Sequence, residues 1–234
     1  MHEGFYSTML GLRGMPAAAE EIMVRRDIAL AEATGGAVHL MAVSSRRSVE
    51  EIRDAQQRGV RVTADVTPHH LLLTDESLLT YDSDYKVDPP LRTAEDIVAL
   101  ISGLKDGTIS VMSSDHQPHA EEKRTRELDQ APFGIIGLET ALPLSVEALI
   151  TPGHLTWSEL IAKWTVGPAK LLGRELGRIA VGDIADITVI DPAAKWQIDS
   201  SQFRSKSRNT PFHGRAATGR VIATFVGGRR AVRE

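Results

Sequence analysis

The chain has 234 residues, enough for one large domain or two small ones. Its net charge of −4 gives no hint of nucleic-acid binding. It has no Cys, which excludes disulfides and thiolate metal sites, so any metal must rest on His and carboxylate ligands.

No apolar run approaches the roughly 20 residues of a membrane span. Residues Met1 to Tyr6 lack the basic-then-apolar order of a signal peptide. A cytoplasmic protein is expected. Residues 1–15 read as irregular. Pro16 then opens a helix from Ala17 to Ala33, with Ala19, Ile22, Ala29, Leu30 and Ala33 as its apolar stripe, and Gly35-Gly36 stops it. Residues 37–43 form a nearly continuous apolar run, the pattern of a strand buried on both faces of a parallel sheet. Ser48 and Glu51 suggest a capping box for the next helix, which buries Val49, Ile52 and Ala55. Strands are expected at 60–66, at Tyr85-Lys86-Val87 and at 109–112. Thr93 with Asp96 caps a helix that presents Leu100 and Leu104. Residues 120–134 read as a charged loop, 135–150 as a helix kinked by Pro143, and Thr156 to Leu172 as another helix capped with Glu159. From about 177 the pattern becomes β-rich, with strands at 185–190 and 220–226. About four strand–helix units argue for parallel βα architecture.

Polar groups collect where the expected strands end. The exits carry Ser44-Ser45, then His69-His70, then Asp88, then Asp115, His116 and His119. In a βα barrel such exits share one rim, so residues distant in sequence can form one site. Each taken alone is as well explained by a solvated turn; Pro118 would end such a turn after Asp115. His39 lies inside a strand and reads as a packed, hydrogen-bonded side chain rather than a ligand.

Five segments resemble successive motifs of class I dihydroorotases, members of the amidohydrolase superfamily. They are Thr67-Pro68-His69-His70, the run from Lys86 to Arg92, the run from Ser114 to His119, the run from Ala131 to Pro143, and the run from Ser205 to Phe212. The resemblance implies an α/β fold: the C-terminal half of a TIM-type (β/α)8 barrel, about strands five to eight, with a helical connector over residues 1–175 and the C-terminal part of a β-sandwich over 176–234. It implies metal-dependent, reversible hydrolysis of dihydroorotate to carbamoyl aspartate in pyrimidine biosynthesis, with one or two Zn2+ ions. It places His70 and Asp115 as metal ligands, Asp115 also as the proton-transfer group, and Asp88, His119, Phe133 and Gly134 against the substrate. It further implies a homo-oligomer. Two positions depart from the pattern: Ala42 stands where the family has a metal-binding His, and Asp88 where it has Asn. Gly167, replacing another Asn, is assigned to structure. Some dihydroorotase-like chains that have lost ligands serve as structural partners of aspartate transcarbamoylase, and Ala42 and Asp88 favour that alternative.

Overall fold

The computed structural model describes residues 1–231. A short helix α1 (Phe5–Leu10) interrupts the N-terminal segment that the sequence left irregular. Helix α2 (Ala17–Thr34) follows Pro16 as expected, but its inward face is Val24, Ile28 and Ala31. The Ile22 and Leu30 stripe points to solvent. Strand β1 (Ala37–Leu40) ends earlier than its apolar run, because Ala42 turns into the left-handed region at φ 50°. Helix α3 (Arg46–Gln57) is capped by Ser45, whose side chain accepts from the Ser48 amide. Ser48 therefore lies inside the first turn. Glu51 is taken by Arg25 at 2.9 Å and does not close a capping box.

Strand β2 (Arg61–Val66) pairs in parallel with β1, Ala37 opposite Arg61. Helix α4 (Ala94–Asp106) carries the expected Thr93–Asp96 capping box. Strand β3 (Val111–Met112) completes a parallel sheet of order β1-β2-β3. The expected strand at 85–87 is absent, so the sheet has three strands among the described residues rather than four. Ser83–Tyr85 coil into a 3-10 turn, and the following Pro89-Pro90 have no amide hydrogens to extend a ladder. Lys86 directs its ammonium to the carbonyls of Leu128, Asp129 and Ala131.

Downstream, α5 (Glu121–Arg124) is one turn within the charged loop. The helix expected over 135–150 begins only at α6 (Ala141–Ser145), since residues 135–137 are tied to Asn209 and His116. Pro143 falls in its first turn, where a missing amide costs nothing, and a wider π turn over Val146–Ile150 follows. Thr156 and Glu159 cap α7 (Trp157–Trp164) as expected. The chain then breaks at Thr165 and restarts as α8 (Val166–Leu171). Gly167 packs so tightly that a Cβ there would meet the Ser110 carbonyl at 2.5 Å, a structural reason for glycine. Strands β4 (Ile187–Gln197), β5 (Ala216–Val226) and β6 (Arg229–Arg230) form an antiparallel sheet, longer than expected because β4 bulges past Asp191-Pro192.

Two apolar cores result. One packs α2, α3 and α4 on β1–β3 through Val49, Ile52, Val66, Leu100 and Leu104. The other joins Leu73, Leu91, Ile135 and Leu144 to Ile198, Phe212 and Ala217, so residues from both sides of position 175 share it.

Candidate active site

The site gathers where β1, β2 and β3 end. Asp115 follows β3 by three residues and is held in the left-handed region at φ 43°. Its Oδ1 accepts from Gln117 Nε2 at 2.7 Å. Its Oδ2 is buried and has no partner among the described residues. His70 leaves β2 in a short 3-10 turn and is buried. Its Nε2 lies 2.9 Å from the Pro89 carbonyl, so that nitrogen must carry the hydrogen, and Nδ1 accepts from Thr67 Oγ1 at 2.7 Å. Burial pushes the His70 pKa down, while the Pro89 carbonyl and the Glu20 and Asp115 carboxylates work against that shift. His69 stacks beside it with ring centroids 4.5 Å apart, and its Nε2 is buried without a partner among the described residues.

His119 and the Phe133–Gly134 backbone come together. His119 Nε2 donates to the Phe133 carbonyl at 2.7 Å. The Gly134 amide donates to the Lys86 carbonyl at 2.8 Å. Gly134 has φ 111°, and a Cβ there would run into the Gln117 side chain, so the turn requires glycine. The Lys86 ammonium sits 4.6 Å from the Phe133 ring centroid. Asp88 is exposed, two residues after Lys86. His116, which the sequence left without a role, holds the loop after Gly134, because its Nδ1 accepts the Gly137 amide at 3.1 Å.

Four polar residues were not singled out from the sequence. Asp65, 3% exposed, ties all three strand ends: its carboxylate takes the Ala42 amide at 2.9 Å, Ser113 Oγ at 2.5 Å and His39 Nε2 at 2.9 Å. Burial pushes its carboxyl up, but these hydrogen bonds outweigh that and hold it below the ordinary value. His39, bound also to Thr63, is the packed histidine expected. Glu20 accepts the Ser44 and Ser45 amides at 3.0 and 3.1 Å, and the buried Arg92 guanidinium lies 3.5 Å from it. Asn209 bridges the Gln117 and Gly134 carbonyls. A carboxylate inside an apolar strand run was the available signal for Asp65. Asn209 and Arg92 lay within noted motifs, with no sequence feature to separate them from their neighbours.

These residues do not make a metal site by themselves. Among the described residues, no three His, Asp or Glu side chains converge as ligands. Both His70 nitrogens are occupied, and Ala42 offers a methyl group and an amide already given to Asp65.

The chain is similar to known proteins. The dihydroorotase of Pelotomaculum thermopropionicum is 54% identical over 229 residues, covering 98% of this chain and 54% of that protein. The dihydroorotase of Acetivibrio thermocellus is 48% identical over 234 residues, covering 100% of this chain and 55% of its own length. The dihydropyrimidinase from Brevibacillus agri, a solved structure, superposes with a TM-score of 0.88 at 28% identity, over 93% of this chain and 49% of its own. The chain thus spans about half the length of the curated relatives it matches. With the Amidohydrolase family matched over residues 9–231, this chain belongs to the amidohydrolase family.

Proposed function

We propose that the chain supplies the C-terminal portion of a dihydroorotase-type cyclic amidohydrolase, with Asp115 as its proton-transfer group. The observation that carries this reading is the buried, unpartnered Asp115 Oδ2 beside an oxygen that Gln117 holds in place. A buried carboxylate oxygen without a donor is costly, so the position suits a group arriving from outside. Asp115 takes a proton from the water attacking the cyclic amide carbonyl. It returns that proton to the ring nitrogen as the C–N bond breaks. The reverse course closes carbamoyl aspartate to dihydroorotate. His119 and the Phe133–Gly134 backbone form the wall against which the ring and its carboxylate lie, with Asp88 at the edge. On this reading β1, β2 and β3 serve as the fifth, sixth and eighth barrel strands, and the coiled segment 83–90 takes the seventh place without entering the ladder. Since no three His, Asp or Glu side chains converge among the described residues, His70 and Asp115 would hold zinc only together with further ligands.

The test is a chimera joining this chain to the part of the Pelotomaculum dihydroorotase that the match leaves out. The chimera turns over dihydroorotate, the chain alone does not, and Asp115→Asn lowers kcat by about 10²- to 10⁴-fold. An Asp115→Asn chimera with unchanged kcat would sink the reading. A second reading, a non-catalytic partner of aspartate transcarbamoylase, is favoured by the lack of three converging ligands among the described residues. An inert chimera, with the chain co-purifying with a transcarbamoylase, would establish it.

A further inference from the structure

We propose that Asn209 is the positioning residue that sets the spacing between His119 and the Phe133–Gly134 turn, and through that spacing the affinity for the cyclic amide. The inference rests on the proposed reading of the Asp115 site and goes beyond it by assigning a role to a residue that touches neither substrate nor Asp115.

Asn209 is 1% exposed, and its side-chain amide is fully used. Nδ2 donates one hydrogen to the Gln117 carbonyl at 2.8 Å and the other to the Gly134 carbonyl at 2.9 Å. Oδ1 accepts the His119 amide at 3.3 Å and faces Ser207 Oγ. The backbone carbonyl takes the Ile136 amide at 2.9 Å. One residue thus grips both walls of the site, 117–119 and 134–136. Those walls also bond directly to each other, through the Gln117 amide to the Ile135 carbonyl at 2.8 Å and through His119 Nε2 to Phe133. Asn209 is itself held rigidly, since the Arg208 guanidinium caps carbonyls at Phe203, Ser205 and Ser207. Only a primary amide supplies two donors and an acceptor in this geometry. Aspartate has the same shape but turns a carboxylate on two carbonyl oxygens. Misplacing a binding wall by about 1 Å costs on the order of 100-fold in an active site.

The chimera is titrated with L-dihydroorotate, and amide hydrogen exchange is followed at His119 and Ile136. Asn209→Asp and the milder Asn209→Ala serve as variants, and Phe212→Leu is a control that loosens the same core without touching the amide network. Expected are at least about tenfold weaker binding in the Asn209 variants, faster exchange confined to 117–119 and 134–136, and wild-type affinity in Phe212→Leu. Unchanged affinity in both Asn209 variants overturns the proposal. So does an equal loss in Phe212→Leu, which would mark a general stability effect. If the wild-type chimera does not bind dihydroorotate, the substrate reading fails. The positioning claim then stands or falls on exchange alone: accelerated and local supports it, unchanged overturns it.

Discussion

His69 shows at single-residue scale how burial dictates chemistry. It is 2% exposed, and burial first, then the neighbouring His70, holds its pKa well below the ordinary 6.5. His70 is lowered as well, again by burial first. Both are neutral in the folded chain. Below pH about 6.5 the unfolded chain binds protons that the folded chain refuses, so stability is fully present above that pH and is lost as pH falls. Each such histidine contributes a slope of up to about 1.4 kcal/mol per pH unit. Urea unfolding at pH 7.5 and 5.5 measures it, and His69→Phe should flatten the slope by one histidine's share. An unaltered slope would show that His69 titrates normally. Asp115, His119, Phe133 and Gly134, proposed as site residues, could be singled out in the sequence because each sits in a motif whose neighbours are equally distinctive. Asn209 and Asp65 could not, because their roles consist of bonds to residues 92 and 23 positions away.

At the scale of elements, legibility followed local physics. The parallel strands were readable from short apolar and β-branched runs, and the caps at Thr93 and Thr156 from their Asp96 and Glu159 partners. The segment 85–87 misled because Val87 is buried like a strand residue while Lys86 obeys a tertiary demand. Its ammonium donates to the carbonyls of Leu128, Asp129 and Ala131 at 2.7, 3.1 and 2.6 Å. Burial lowers its pKa, yet three acceptors surround it, and its stem crosses from the Asp88 segment to the 120–134 loop. Lys86→Met keeps the volume but strands these carbonyls. It should cost about 1–3 kcal/mol, read as a lower urea midpoint with unchanged slope, and speed proteolytic cleavage between residues 120 and 134. Cleavage at the wild-type rate would show that the loop is held by other contacts.

Across the whole molecule, apolar side chains lie exposed on α2, just past β1 and on β5. Helix α2 is apolar on two opposed faces; Val24 and Ile28 enter the core, while Ile22 and Leu30 remain 62% and 57% exposed. An apolar stripe on a helix normally faces a packed neighbour. The outer edge of β1 has no strand beside it among the described residues, Met41 just past it is 77% exposed, and Ile222 and Val226 lie bare on β5. The curated relatives are about twice as long as this chain, and the dihydropyrimidinase structure superposes on 93% of it. The sequence could not reveal which α2 stripe faces inward, because both stripes are apolar and only the partner of each decides its fate. Exposed apolar patches and free strand edges promote association. The chain should therefore self-associate at micromolar concentration. Ile22→Lys with Leu30→Lys should shift it toward monomer in sedimentation velocity without lowering its helix content, because neither side chain touches the core. A wild-type chain that sediments as a monomer and unfolds in one two-state step would show that these surfaces need no cover.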